Sequence, residues 1–336
     1  MKNMSRKIQF SFIFLAAFAI FLTAQASGGI ENNINKSFKV KPGGQLILET
    51  DIGSIEVKTA GNNTLKIEVI RNIRTTSSKR AESILEDLKF DFRQDGNTVY
   101  VNGEYDRSGL GKLFNNIGKY LRVKFLISVP QEFNVDLKTK GGSISIDDLK
   151  GKVQSKTSGG SLHFNHIQGP IWGRTSGGSI KLLSCTETAD IKTSGGSITI
   201  GEVDGDVIAH TSGGSIKITR AKGKVDAHTS GGSIKVEEVM GIIKATTSGG
   251  SVSAYISKQP KSECSLKTSG GGITVYMAEG VGVNVDARAS GGRVYTEYPV
   301  TIQGKINKTS LKAKMNGGGP ELYLRTSGGS IRIKKR

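Results

Sequence analysis

Apolar and polar residues alternate with period two through most of this chain, and the alternating runs come in pairs. In Ile198-Thr-Ile200 and Val207-Ile-Ala209 the outer residues share one face of a strand and the middle residue takes the other. Two corners of different composition separate the runs. One reads Thr-Ser-Gly-Gly-Ser. The other supplies an apolar residue and then a glycine, as in Val203 and Gly205, Ala221 and Gly223, and Val239 and Gly241. The first corner restarts at Thr193, Thr211, Thr229 and Thr247, an interval of 18 residues. So short a unit cannot bury its apolar side alone and must stack on its neighbours. The pattern therefore predicts an all-β protein, a parallel β-solenoid of about 18 residues and two short strands per coil. A meander of hairpins would not need two distinct corners alternating at a fixed interval. Crossovers between parallel strands favour the right hand, which is expected here. The corner glycines can take positive φ at little steric cost.

If coils lie about 4.8 Å apart, like residues form columns. The inward column of the first strand is Ile144, Leu162, Ile180, Ile198, Ile216, Ile234, Val252 and Ile273. That of the second is Val135, Val153, Ile171, Ala189, Val207, Val225, Ile243 and Cys264, each followed two positions later by a mostly smaller residue such as Ser155, Gly173, Ala209, Ala227 or Ala245. Large facing small predicts a thin, flat interior. The intervals from Gly249 to Gly270 and from Gly270 to Gly291 widen to 21 residues, the rhythm loosens after Val294, and it returns from Asn316 to Ile333. The closing Lys334-Lys335-Arg336 is expected to guard a terminal strand against edge-to-edge pairing.

The chain divides into a leader at 1–26, an N-terminal β-rich segment at 27–134 and the repeats at 135–336, irregular after about residue 254. Lys2, Arg6 and Lys7 precede an apolar run from Ile8 to Leu22, followed by Ala24-Gln25-Ala26: the signature of a signal peptide, with cleavage expected after Ala26. The next segment carries strands near Leu46–Leu48, Leu65–Ile70, Val99–Val101 and Leu121–Val129. Between them Ile84, Leu85 and Leu88 recur at helical spacing behind Ser77 and Ser78, predicting a capping helix over about 76–90. The stretch from Ser108 to Tyr120 is amphipathic and glycine-rich and reads as a short helix or a loop folded over the apolar end.

Phe38 to Val57 (FKVKPGGQLILETDIGSIEV), Arg122 to Pro130 (RVKFLISVP), the repeated TSGGSI, and Gly317 to Ile333 (GGGPELYLRTSGGSIRI) together resemble a bacterial family of adhesin candidates, β-strand-repeat proteins whose function is not established. The resemblance spans nearly all of the chain beyond the leader. It implies an exported β-solenoid and names no ligand.

Charge narrows the choice of partner. Removing the leader's Lys2, Arg6 and Lys7 takes the net charge from +18 to +15, which favours acidic partners. Export makes nucleic acid an unsuitable one, leaving anionic polysaccharide or another envelope protein, in the periplasm or at the cell surface. The residue before each TSGG-type corner is Lys138, Lys156, Arg174, Lys192, His210, His228, Thr246, Lys267, Arg288 and finally Arg325. Alternation turns this column outward, where it could follow an anionic polymer; Trp172 lies beside Arg174 and could stack on a sugar. A second outward column, Lys181, Thr199, Lys217 and Lys235, is patchier.

The search for chemistry returns little. The corners carry no carboxylates, so the calcium ligation of β-rolls is not expected. His210 and His228 stack in neighbouring coils but lack the three or four ligands of a metal site. Cys185 and Cys264 fall too far apart for a disulfide and are expected to be free and buried. The corner serines are all equivalent, and Glu104 to Arg107, Glu263, Glu279 and Asp286 make no recognisable catalytic set. The expectation is a non-catalytic, cofactor-free envelope module, structural or adhesin-like, with the basic column as its contact surface. The alternatives are a lyase-like carbohydrate-active enzyme with its site between Gly272 and Val300, and a scaffold for envelope proteins.

Overall fold

The computed structural model describes residues 22–25, 29–106, 120–302 and 307–336. The expected leader, apart from Leu22–Gln25, and the amphipathic stretch before Tyr120 lie outside these residues. Among the described residues the strands form two sheets, one of 16 and one of 15, lying face to face as the two broad walls of a flattened coil. The chain crosses from the second sheet to the first at each TSGG corner and returns at the other corner. Coil stacks on coil in parallel register: Val207 pairs with Val225 and Ile216 with Ile234. The inward columns fall as the alternation requires, and their members are all buried, Ile198, Val225 and Ile243 without measurable exposure.

Each residue of the corner has a separate task. The threonine points inward, and its hydroxyl donates to the second-glycine carbonyl of the coil below: Thr193 to Gly178, Thr211 to Gly196 and Thr229 to Gly214, at 2.7 to 2.8 Å. The same oxygen accepts from the second glycine N–H of its own corner, Gly214 to Thr211 at 3.4 Å. The closing serine accepts, through its Oγ, the N–H of the serine above it, as Ser215 donates to Ser197 at 3.2 Å. The glycines are explained differently from the sequence expectation. None of the repeated corner glycines has positive φ; the residues that do are elsewhere, for example Gly53, Gly151 and Gly169. The second glycine is required by proximity, because a Cβ on Gly178, Gly196 or Gly214 would sit under 3.0 Å from the glycine carbonyl of the coil below. The first glycine has more room: a Cβ on Gly177 would meet its nearest neighbour at 3.4 Å.

The first coil is made by Gly44–Thr50 and Ser54–Ala60, and the next by Phe133–Thr139 and Ile144–Ile146, so both sheets run unbroken across residue 134. The residues between extend the stack beyond its first coil. Thr64–Ile73 and Leu121–Pro130 pair antiparallel and continue the first sheet; the hairpin of Leu88–Asp95 and Thr98–Tyr105 continues the second. The helix is Ser78–Glu86, capped by Ser77 and seated by Ala81 and Ile84. It stops short of the expected residue 90 because Leu88, Phe90 and Phe92 follow a period of two and join the hairpin.

The C-terminal region departs from chain order. Val283–Ala289 and Val294–Thr296 do not stack on Cys264–Thr268 and Ile273–Met277. A slot one coil wide separates the two pairs, and it is filled by Glu321–Thr326 and Ile331–Lys335. Lys334 and Lys335 therefore do not guard a sheet edge: their strand is hydrogen-bonded on both sides. The margins at this end are Val294–Thr296 in the first sheet and the strand Thr301–Ile302 in the second.

Both cysteines are buried and free. Burial pushes the Cys185 thiol up to about 11, and its Sγ lies 3.1 Å from the Gly169 carbonyl oxygen.

Three outcomes follow from this packing. Gly196→Ala, which drives a Cβ into the backbone below, should lower stability by about 3 kcal/mol, while Gly177→Ala should stay within about 1 kcal/mol, as read by guanidinium denaturation. Thr211→Val keeps the shape but leaves the Gly196 carbonyl without its donor, and should cost about 1 to 3 kcal/mol in the same measurement. In the native protein at pH 8 Cys185 should resist a thiol-specific chromogenic reagent and should react once the chain is unfolded.

Candidate functional site

The outer face of the second sheet carries the basic column. Strand pairing brings its members together in the order Lys138, Lys156, Arg174, Lys192, His210, His228, Thr246 and Lys267. Arg325 follows and Arg288 comes last, since the intercalated coil places Arg325 between Lys267 and Arg288. Like charges at rung spacing repel, so the column needs compensation.

Compensation comes from another outward column two residues earlier on each strand, which the sequence did not by itself assemble: Asp136, Gln154, Trp172, Asp190, Ile208, Asp226, Lys244, Ser265, Tyr323 and Asp286. Asp136 lies 3.9 Å from Lys138. Asp190 takes Arg174 at 2.5 Å and Lys192 at 3.9 Å. Asp226 reaches His210 at 3.4 Å, and Asp286 holds Arg325 at 2.9 Å and Lys312 at 3.6 Å. Exposed pairs of this sort contribute little to stability; their effect is to cancel field along the face. Among the described residues Lys156, His228, Lys267 and Arg288 have no carboxylate within ion-pair distance.

Two places on the face share one construction. The Arg174 guanidinium lies 4.3 Å from the Trp172 ring, donates Nη1 to the carbonyls of Gly173 and Asp190, and donates Nη2 to the Asp190 carboxylate. Arg325 lies 3.8 Å from Tyr323 and donates Nη1 to the carbonyls of Leu324 and Asp286, with Nη2 on the Asp286 carboxylate. In each case an aromatic residue, an arginine two positions on, and an aspartate opposite the aromatic on the neighbouring rung fix a guanidinium over a ring. Trp172 remains 36% exposed, so part of its surface is open to a ligand. The sequence offered only the Trp172–Arg174 half of this pattern. Tyr323 and Arg325 could not be joined to Asp286 without knowing that the last coil moves inward.

Beyond Arg288 and before Lys267 the column carries short hydroxyl side chains, Ser310 and Thr246. Here the surface dips into a depression of about 370 Å³ lined by Lys267, Arg325, Arg288 and the corner hydroxyls of Ser248, Ser269, Ser290 and Ser327. The opposite end of the same face is acidic: a depression of about 680 Å³ is lined by Glu49, Asp51, Asp91, Glu104 and Asp106 with Lys89 and Lys140. Lys140 lies 2.5 Å from Asp51.

The other candidates are dispersed. The His210 and His228 rings meet edge to face at 6.0 Å, and among the described residues no three metal-ligating side chains converge. On the first sheet Lys235 and Lys217 flank Glu237 at 2.9 and 3.2 Å and hold its carboxyl below the usual carboxylate range. Of the acids in the widened coils, Asp286 is taken up by Arg325 and Lys312.

No curated protein matches the chain. Among solved structures, the chain is similar to an adhesin candidate from Bacteroides fragilis, with 13% identity over 90% of this chain and 97% of the other and a TM-score of 0.32. A candidate lipid-binding protein from Parabacteroides distasonis shows 13% identity over 90% and 96%, with a TM-score of 0.41. A candidate cell-adhesion protein from Clostridium sporogenes shows 12% identity over 90% and 100%, with a TM-score of 0.25. The family model described as Toastrack DUF4097 matches residues 45–304, from the first coil to the far margin of the stack, and the chain belongs to that family.

Proposed function

We propose that this chain is an exported, non-catalytic binding module of the cell envelope that holds an acidic glycan against the outer face of its second sheet. The observation that carries this reading is the regular outward order of that face: cations at rung spacing, with two arginine-stacked aromatics set among them. Acidic sugars offer matching features, namely anionic groups for the cations and C–H faces for the rings. A repeat of about 4.8 Å is also close to the length of one sugar unit, so successive rungs can meet successive residues of a polymer. Catalysis would require one group singled out by its surroundings. The cations here recur from rung to rung, and Asp136, Asp190, Asp226 and Asp286 are spent on neighbouring cations.

Affinity electrophoresis through gels containing acidic or neutral polysaccharide tests the reading. The protein should be retarded by the acidic polymers only, by a factor that falls steeply with salt, and it should release no unsaturated or shortened products. Retardation by neutral polymer alone, or the appearance of products, would refute it. Sedimentation with anionic vesicles in the absence of any polysaccharide binding would put a lipid surface in the glycan's place.

A further inference from the structure

We infer that Lys267, Arg325 and Arg288 form a discrete oxyanion site for a sulfate or phosphate group carried on a glycan. The inference rests on the glycan reading above and narrows it to one end of the face and one kind of anionic group.

The site exists because the last coil is out of order. Arg325 enters the column between Lys267 and Arg288, so three cations occupy consecutive rungs, with Lys267 and Arg288 on either side of Arg325. Farther along the column, Asp190 is flanked by Arg174 and Lys192 and serves both. Here Asp286 serves Arg325 and Lys312, while Lys267 and Arg288 have no carboxylate within ion-pair distance among the described residues. Short side chains, Thr246 and Ser310, bracket the triplet at the same column position, and the three cations line a depression walled by the hydroxyls of Ser248, Ser269, Ser290 and Ser327.

Geometry selects the ligand. Arg325 is held in place: Nη1 donates to the carbonyls of Leu324 and Asp286, Nη2 to the Asp286 carboxylate, and its Cζ lies 3.8 Å from the Tyr323 ring centre. It contributes a fixed positive charge, with its Nε–H and one Nη2–H left over for a ligand. Lys267, with its ammonium 4.8 Å from the same ring, and Arg288 approach from opposite sides. Donors arriving from several directions suit a tetrahedral anion, whose oxygens diverge, and the serine hydroxyls can donate to the oxygens the cations leave free. Sulfate esters and phosphate esters share this shape and charge.

The test compares dextran sulfate, phosphorylated dextran and polygalacturonate at matched charge density, by titration calorimetry on the full chain. The two tetrahedral polymers should bind about tenfold more tightly than the carboxylate polymer, and Lys267→Gln combined with Arg288→Gln should remove that advantage. The control Lys217→Gln with Lys235→Gln, on the outer face of the first sheet, should change affinity by less than about twofold. A preference between the first two polymers identifies the ester. Equal affinity for all three, or an unchanged preference in the Lys267 and Arg288 variant with its unfolding midpoint intact, overturns the site and leaves the glycan reading standing. If no polymer binds, the glycan reading fails, and inorganic sulfate decides the site alone: it stands if the backbone amide resonances of Ser269 and Ser327 shift on titration and falls if they do not.

Discussion

The contact on which everything else depends is backbone against backbone at the TSGG corner. The second glycine of each corner rests directly on the carbonyl of the glycine below, with no space for a side chain, and the threonine hydroxyl closes the same contact from inside. A buried carbonyl without a donor is costly, and a buried hydroxyl without a partner equally so. Each satisfies the other, one coil at a time. The corner thereby sets the rise from coil to coil, and the rise sets which side chains become neighbours on both faces. Fixed rise also keeps a thin interior filled: Ile, Val and Ala columns interlock only while the register holds.

The outward chemistry is a consequence of that register. A cation on one rung meets a cation on the next because the corner allows no slippage, and the aspartate column beside it offsets the resulting repulsion. Where an aromatic residue stands in for an aspartate, at Trp172 and Tyr323, the arginine folds onto the ring and borrows the neighbouring rung's carboxylate. The face is thus neither uniformly basic nor neutral. It grades from an acidic depression near Asp91 and Glu104 to a basic one near Lys267 and Arg288.

Much of this could be read from residues alone, because a repeat of 18 residues with two unlike corners has one economical solution. The parallel stack, the inward columns and the neighbours within the basic column as far as Lys267 all follow from counting. What escaped had physical causes. The corner glycines suggest positive φ because that is glycine's commonest use in turns; close approach leaves no separate mark in sequence. The helix was drawn too long because Leu88 fits the helical and the strand period alike. Asp136, Asp190 and Asp226 were legible at a fixed offset from the cations and needed only a second count. The place of Arg325 was not legible: nothing in Gly317 to Ile333 distinguishes a coil added at the end from one slipped between two others.

That displaced coil bears on how the molecule is completed. Coils from Gly44 to Met277 follow one another in chain order, each resting on the one before. Residues 283–296 come next; Ser310–Met315 pairs with their outer side, but the coil on which they rest is supplied only by residues 321–335. The stack is therefore finished by a keystone, late in sequence and interior in place, and any molecule that loses it to a protease forfeits two rungs and the cationic hollow together. Intactness of residues 321–335 is thus built into the cationic end of the face.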